Sequence, residues 1–316
     1  MTAEELWRGF PKTAAEFEEK FKTEEACRRY LVELRWGGKP VCRKCSCDRM
    51  WELSSGRLEC SSCGFQMSVT AGTPLHGTRK PLRLWFRAIW EMVTHKGGVS
   101  AKDLQRILGF GSYETAWTWL HKLRRGIVRE QRAPLVGDVQ LDDAYLGGPA
   151  GGTGRPKPGG NKALLFVAVE PGGRVRVEHA PNLTAISMSS FVERNLSDAS
   201  RVTTDGYVTY GKRTLTGRSH KKVMQNKLPP GIADPLQQAH FVISLVKRFW
   251  IGTYHGAVSK KHLQVYLDEF EFRYNRRKTA GVGRLAARLL QQLNRTTRLT
   301  YRQIISACPC PRFETA

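Results

Sequence analysis

The stretch "GDVQLDDAYLGG", residues 137–148, decides the fold of the chain. The pattern changes here from a helical period to a strand period, Asp142 stands in the middle of an otherwise apolar strand, and glycines stand at both ends. Two more strand-like segments follow, "ALLFVAVE" at 163–170 and "RVRVEHA" at 174–180, and the turn "PGG" joins them. The pattern predicts three consecutive antiparallel strands.

The segments after these strands complete the pattern of one domain. An amphipathic helix is predicted in "AISMSSFVERNL", a fourth strand in "RVTTDGY" and a fifth in "HKKVMQN". A later helix is expected to open with Asp234 as its N-cap and Pro235 in its first helical position. Three antiparallel strands, a helix, a strand and a later helix are the element order of the ribonuclease-H-like fold.

The charge of the chain indicates its partner. The 316 residues include 51 Lys and Arg against 28 Asp and Glu, a formal net charge of +23. Such an excess favours a polyanion, with nucleic acid as the first candidate and an anionic membrane surface as the weaker one. No apolar run approaches the ~20 residues of a membrane helix, and the N-terminus lacks the plan of a signal peptide. We therefore expect a cytoplasmic, nucleoid-associated protein.

Four cysteines have the spacing of a zinc ribbon. In "VCRKCSCDRMWELSSGRLECSSCGF", Cys42 and Cys45 form one CxxC pair, and Cys60 and Cys63 form another beyond a hairpin that turns at Ser55-Gly56. Two such pairs complete the tetrahedral sulfur shell of one structural zinc ion. A redox site would need a single pair. Cys47 is an alternative ligand whose spacing fits less well.

The region after the ribbon reads as a helix-turn-helix. Ser100 begins the helix "SAKDLQRIL", and the turn "GFGS" leads to a second helix, "YETAWTWLHKLRRGI". This pattern is typical of DNA-reading modules. An ordinary three-helix packing unit with a solvated basic face is the alternative. In the DNA-binding reading, the second helix presents four side chains to the groove and phosphates: Thr118, His121, Lys122 and Arg125.

Two aspartates stand where strands could hold catalytic metal. Asp142 lies within the first strand, and Asp205 ends the fourth strand before a glycine. Phosphodiester chemistry uses two divalent ions about 3.5–4 Å apart, held by carboxylates on rigid elements. The later helix carries His240, Ser244 and Lys247 on one polar face, which is either a solvated face or the wall of the site. Asp143 should point to the opposite face of its strand.

The motifs in this order resemble the bacterial insertion-sequence transposases of the ISXO type, relatives of the eukaryotic Merlin elements. The blocks that carry the resemblance are the two CxxC pairs, "LDDAYLGG", "TTDGYVTYG", "AHFVISLVKRFWIGTYHG" and "HLQVYLDEFEFRYNRR". The resemblance implies a DDE-type active site formed by Asp142, Asp205 and a third metal ligand, His240, with Lys247 seven positions later. It also implies two Mg²⁺ or Mn²⁺ ions. Glu269 remains the alternative third ligand.

The expected protein is an α+β multidomain transposase. Its regions are N-terminal helices at 1–37, a zinc ribbon at 38–78, a helix-turn-helix DNA-binding region at 79–132 and a ribonuclease-H-like catalytic domain at 133–316. We expect it to bind double-stranded DNA at the terminal inverted repeats, to cleave the strands and to join them to target DNA, as a homodimer or larger assembly. A catalytically inactive DNA-binding regulator and a nuclease without strand transfer are the alternatives.

Overall fold

A computed structural model of the chain divides it into two compact units. One unit contains residues 1–128 and 278–316, and the other contains residues 129–277. The residues described are 9–127, 132–147, 162–207, 209–211, 214–224, 229, 231–256 and 258–306. Among these residues, no helix combines the length and the hydropathy that crossing a bilayer requires.

Two short helices precede the ribbon. Helix α1 (Ala14–Lys20) and helix α2 (Glu24–Trp36) each begin at a threonine whose side chain accepts a backbone N–H of the first turn. The caps are Thr13 and Thr23, and they satisfy donors that a helix N-terminus leaves without a partner. Helix α2 ends at Gly37, whose φ of 60° is readily adopted by glycine.

The ribbon is a small antiparallel sheet. Its strands are β1 (Met50–Glu52), β2 (Leu58–Cys60) and β3 (Gln66–Met67), in the order β1-β2-β3. The hairpin between β1 and β2 turns at Gly56, with a φ of 74°, where the sequence predicted it. This short sheet places the second cysteine pair at the end of β2.

Three helices follow the ribbon: α3 (Leu82–Thr94), α4 (Ala101–Leu108) and α5 (Tyr113–Ile127). As expected, Ser100 caps α4 through the N–H of Asp103, and Gly109 ends it with a φ of 64°. Trp85 of α3 stacks on Trp119 of α5 with ring centroids 3.5 Å apart. This stacking holds α5, the second helix of the predicted helix-turn-helix, against α3.

The second unit is built on a five-stranded sheet. Its strands are β4 (Asp138–Leu146), β5 (Ala163–Val169), β6 (Val175–Ala180), β7 (Arg201–Asp205) and β8 (Ser219–Val223). The spatial order is β6-β5-β4-β7-β8. Strands β4 to β6 are antiparallel, whereas β7 runs parallel to β4 and β8 runs parallel to β7. The sheet confirms the ribonuclease-H-like fold and places β4 at its centre.

Helices cover both faces of this sheet. Helix α6 (Ala185–Asn195) packs on one face, while α7 (Gln237–Tyr254) and α8 (Leu263–Tyr274) pack on the other. Successive residues of a strand point to opposite faces, so Leu141 joins the α6 core whereas Ala144 and Leu146 join the α7–α8 core. Every residue of β5 is buried, as expected for a strand covered on both sides.

Helix α7 begins two residues later than the sequence predicted. Asp234 accepts the N–H of Leu236 with its side chain and that of Gln237 with its main chain, so Asp234-Pro235 forms a turn before the helix. Its predicted apolar stripe is buried, apart from one partly buried phenylalanine. The stripe consists of Ala239, Val242, Ile243, Val246, Phe249 and Trp250.

The C-terminal helices α9 (Gly283–Arg295) and α10 (Tyr301–Ser306) belong to the first unit. The expected catalytic domain, 133–316, therefore differs from the structure, in which the unit with the large sheet ends at residue 277. The physical reason is the apolar face of α9, which packs against α3 and α5. That face buries Ala286, Leu289, Leu290 and Leu293.

Gly126 lies where α5 packs against α9, and a substitution there tests this packing. A Cβ atom there would lie 2.5 Å from Cδ2 and 2.7 Å from Cγ of Leu293, which is buried. We expect Gly126→Val to lower the free energy of unfolding by about 1–3 kcal/mol because the interface has no room for the side chain. The measurement is the urea midpoint.

A matched control is Gly111→Val, because a Cβ at Gly111 meets nothing within 4 Å. Adding Leu293→Ala to Gly126→Val should recover part of the lost stability. Equal urea midpoints for the two valine variants would contradict the assigned contact.

Candidate active site

The register of two parallel strands brings Asp142 and Asp205 to the same place. Gln140 of β4 pairs with Thr203 of β7, and each aspartate lies two residues further along its strand. Because side chains alternate between faces, both aspartates share the face of Gln140. Asp142 is 9% exposed, whereas Asp205 is half-buried and accepts the N–H of Tyr207 at 3.0 Å. The sheet therefore places two carboxylates side by side.

Helix α7 is attached to this face at its first turn. The side-chain oxygen of Gln140 accepts the N–H of Ala239 at 3.0 Å. The next residue is His240, whose Nε2 lies 3.3 Å from Oδ2 of Asp142. The residue predicted as the third ligand is thus in contact with the central aspartate.

The other nitrogen of the same ring contacts Asp234, whose sequence position indicated a helix N-cap. Nδ1 of His240 lies 2.5 Å from Oδ2 of Asp234, while Oδ1 of Asp234 accepts the N–H of Leu236 at 2.9 Å. The imidazole is therefore held between Asp234 and Asp142. The only signal in the sequence is an Asp-Pro turn six residues before a histidine, and helical spacing does not indicate such a contact.

The electrostatics of Asp142 are those of a buried acid. Burial raises its pKa to about 6, and the charges of Asp143 and Asp205 act in the same direction. The N–H of Asp143 and the ring of His240 oppose the increase. Above that pH the site carries negative charge in a poorly solvated place, where a cation is favoured.

The remaining candidates of the sequence analysis lie in different surroundings. Lys247 is exposed two turns beyond His240, whereas Ser244 donates its hydroxyl to the carbonyl of Phe241 on its own helix. Glu269 is 1% exposed and accepts hydrogen bonds from Arg273 and Tyr254. Glu269 thus has structural partners, and the structure shows no contact between it and Asp142 among the described residues.

Asp143 faces away from the site, as predicted. Its Oδ1 accepts a hydrogen bond from the hydroxyl of Tyr210 at 2.8 Å. Tyr210 belongs to the core beneath α6, on the opposite face of the sheet. Asp143 therefore does not belong with Asp142 and Asp205, which share the α7 face.

The donor set fits a divalent cation. Two carboxylates and one ring nitrogen suit Mn²⁺, and the imidazole suits Mg²⁺ less well. The burial of the Asp142 carboxyl group, which is 9% exposed, is the structural observation that supports this fit, because a buried carboxylate favours a cation beside it. In the described part of the chain, the cysteine cluster is the one group of possible ligands whose atoms all lie within 4.8 Å of one another. The ligand atoms of Asp142, Asp205 and His240 are more widely spaced.

The four ribbon cysteines fit one zinc ion. Sγ of Cys42 lies 3.7 Å from Sγ of Cys63, and Sγ of Cys45 lies 3.5 Å from Sγ of Cys60. Tetrahedral zinc with bonds of about 2.3 Å needs sulfur atoms about 3.8 Å apart. Cys47 lies outside this group, with its Sγ 4.0 Å from Oγ of Ser61. The structure therefore favours the predicted set over the alternative with Cys47.

One of the four side chains expected to contact DNA is buried. His121 is 4% exposed, with its ring centroid 4.0 Å from that of Trp117, because it lies on the packed side of α5. Thr118, Lys122 and Arg125 are partly exposed. The Nζ of Lys122 lies 5.9 Å from the Trp85 ring. The surface that α5 offers to a ligand is therefore smaller than the sequence indicated.

Carboxylates gathered on one face of a ribonuclease-H-like sheet are typical of polynucleotidyl-transferase-type enzymes, the class to which the family match assigns this chain. Residues 134–275 match the ISXO2-like transposase domain, and residues 22–66 match the transposase zinc-ribbon domain. The chain belongs to the ISXO2-like DDE-type transposases with an N-terminal zinc ribbon.

Solved structures add a distant likeness. The catalytic core domain of BIV integrase is 15% identical with a TM-score of 0.27, over 46% of this chain and 85% of that one. A simian T-cell lymphotropic virus intasome, in complex with PP2A regulatory subunit B56 gamma, is 14% identical with a TM-score of 0.29. That match covers 54% of this chain and 65% of the other. No curated protein matches the sequence.

The zinc assignment predicts different results for two cysteine variants. Cys60→Ser should lose the zinc ion because it removes one of the four sulfur ligands. Cys47→Ser should retain about one zinc per chain because Cys47 lies outside the cluster. Metal analysis of protein purified without chelator is the measurement. Zinc retained by Cys60→Ser, or lost from Cys47→Ser, would refute the ligand set.

The raised pKa of Asp142 predicts a stability effect with a defined sign. The ordinary value is 3.8 and the folded, metal-free value is about 6, so loss of the proton favours unfolding. This penalty is absent below the ordinary pKa and complete above the raised one. Asp142→Asn should therefore stabilise the metal-free protein by about 1–3 kcal/mol at pH ~7.5 and by little at pH ~4. Urea unfolding at both pH values tests this.

Manganese supplies the second half of that test. Millimolar Mn²⁺ should raise the melting temperature of the wild type at pH ~7.5, because a bound cation compensates the buried charge. Mn²⁺ should raise the melting temperature of Asp142→Asn much less. If Asp142→Asn is no more stable than the metal-free wild type at pH ~7.5, the raised pKa of Asp142 is contradicted.

Proposed function

We propose that the enzyme binds the terminal inverted repeats of its element, cleaves DNA strands there and joins the freed 3′ ends to target DNA. The observation that carries the proposal is the contact between His240 on α7 and Asp142 on β4, beside Asp205 on the neighbouring strand. A histidine and two aspartates from three elements converge on one face of the sheet. A solvated helix face would not require this convergence.

The roles of the site residues follow from their positions. Asp142, Asp205 and His240 would hold the divalent cations, two Mg²⁺ or Mn²⁺. When bound, these ions polarise the phosphodiester and lower the pKa of the attacking water or hydroxyl. Asp142 lies at the centre of the sheet and is the most buried of the three, so it suits the shared ligand.

Lys247 supplies a positive charge beyond the metal ligands. Its ammonium is exposed on the same side of α7 as His240, two turns along the helix. There it would contact a phosphate of the bound DNA and stabilise the negative charge that develops during attack. An exposed lysine suits this role because it can reach a phosphate without displacing a protein partner.

The first unit would recognise the element ends. Its zinc ribbon and the helices α4 and α5 provide a module of DNA-binding type, with Thr118, Lys122 and Arg125 as the contacts we retain. The net charge of +23 favours phosphate binding. Two element ends must be held together for transfer, so a homodimer or larger assembly on double-stranded DNA is part of the proposal.

Strand transfer of labelled DNA tests the catalytic assignment. The substrate is a duplex carrying one end of the element, with plasmid as target and Mn²⁺ in the buffer. We expect His240→Ala to lower cleavage and transfer at least ~100-fold, because a metal ligand is lost, and to leave end binding within about twofold. Gel shift measures the binding.

The controls lie on the same helix. Gln237→Ala changes an exposed residue in the first turn of α7 and should leave cleavage intact. Lys247→Ala should lower cleavage, whereas Arg248→Ala, the neighbouring exposed cation, should affect it much less. His240→Glu should keep activity and shift the preference toward Mg²⁺.

Three outcomes would decide against the proposal. Cleavage at the wild-type rate by His240→Ala would return α7 to a solvated face. Cleavage without joining would identify a nuclease. End binding with neither reaction, in wild-type protein with Mn²⁺, would identify a DNA-binding regulator.

A further inference from the structure

We propose that Asp234 is a positioning residue of the active site: it fixes the orientation and the tautomer of the His240 imidazole so that Nε2 is the nitrogen offered to the metal. The inference rests on the proposed role of His240 as a ligand. It assigns a function to a residue that lies outside the DDE set and that the sequence marked only as a helix cap.

The geometry divides the two oxygens of Asp234 between two tasks. Oδ1 accepts the N–H of Leu236 at 2.9 Å, which closes the turn before α7. Oδ2 lies 2.5 Å from Nδ1 of His240. A residue that only closed the turn would need the first contact alone. The second contact is made to a catalytic candidate, on the side of the ring that faces away from Asp142.

The chemistry of the ring gives this contact its consequence. A carboxylate accepts hydrogen bonds, so the ring nitrogen beside Oδ2 must carry a proton. The neutral imidazole has one ring proton, and the shorter contact places it on Nδ1, 2.5 Å from Asp234, because Nε2 lies 3.3 Å from Asp142. Nε2 then presents a lone pair. Nε2 is also the nitrogen 3.3 Å from Asp142. The arrangement therefore directs the donor atom toward the carboxylate that would share the ion.

The pairing also explains why the ring can stay fixed while it is partly exposed. The side chain of His240 is 41% exposed, so core packing alone does not restrict its rotation. A hydrogen bond to Asp234, whose other oxygen accepts the N–H of Leu236, supplies that restriction. Carboxylates that orient metal-binding histidines commonly change metal affinity by about 10–100-fold when they are removed.

The test is manganese affinity, measured by calorimetry on the full chain with its zinc in place. Asp234→Ala should weaken Mn²⁺ binding by about 10–100-fold. Asp234→Ser separates the two tasks, because its hydroxyl can accept the N–H of Leu236 but is too short to reach the ring. We expect the serine variant to bind as weakly as the alanine variant.

Asp234→Asn provides a rescue, since its amide oxygen can still accept the proton of Nδ1. We expect this variant to retain more affinity than the serine variant. Asp198→Asn is the matched control for loss of an exposed carboxylate in the same unit, and it should bind Mn²⁺ like the wild type.

Imidazole ¹⁵N spectra give a readout that a purely structural role would not change. In the metal-free wild type at pH ~8, neutral His240 should be protonated on Nδ1. In Asp234→Ala and Asp234→Ser, the Nε2-protonated form should appear, because the acceptor on the Nδ1 side is gone.

Each other outcome overturns the inference in a recognisable way. Wild-type Mn²⁺ affinity in Asp234→Ser would reduce Asp234 to a turn cap. A loss in Asp234→Asn as large as that in Asp142→Asn would make Asp234 a direct ligand. If His240→Ala binds Mn²⁺ like the wild type, the proposed role of His240 fails. If only His240→Ala loses affinity, that role stands and the inference about Asp234 fails alone.

Discussion

The structure of the catalytic unit depends on one constraint, the burial of an acid at the centre of a sheet. Asp142 lies in the middle strand and is 9% exposed. It lies between a neighbouring strand that ends in another aspartate and a helix that carries His240 in its first turn. An ionised carboxylate in such a place is costly unless it has a partner. The order of the strands, the anchoring of α7 by Gln140 and the placement of His240 all bring possible partners to that one group.

The alternation of residues was sufficient to predict the framework of this unit. In β4, Val139 and Leu141 point to one core and Ala144 and Leu146 to the other, so the period of the sequence identified the strand and its faces. The same reasoning placed Asp143 opposite Asp142. Local caps at Thr23, Ser100 and Gly109 were equally readable, because each is decided within a few residues.

Contacts between distant segments could not be read in this way. The apolar face of α9 indicates burial but not its partner, so the sequence does not show that the C-terminal helices pack with the first unit. His121 carries a polar ring, yet it is buried on α5 beside Trp117. Asp234 fits the pattern of a cap, and only the folded turn shows its second oxygen beside His240. In each case, tertiary packing decided what the sequence period left open.

The pairing of Asp234 with His240 gives a physical reason why a histidine suits the position of the proposed third ligand. Asp142 and Asp205 already place two negative charges together, and the proximity of Asp205 contributes to the raised pKa of Asp142. A third carboxylate in contact with Asp142 would raise the pKa of Asp142 further in the metal-free protein, so that more of this carboxyl group would have to lose its proton when an ion binds. An imidazole adds a donor atom without adding charge. The ring of His240 also lies between Asp234 and Asp142 and keeps these two carboxylates apart. The negative charge of Asp234 therefore raises the pKa of Asp142 less than a carboxylate in direct contact would raise it.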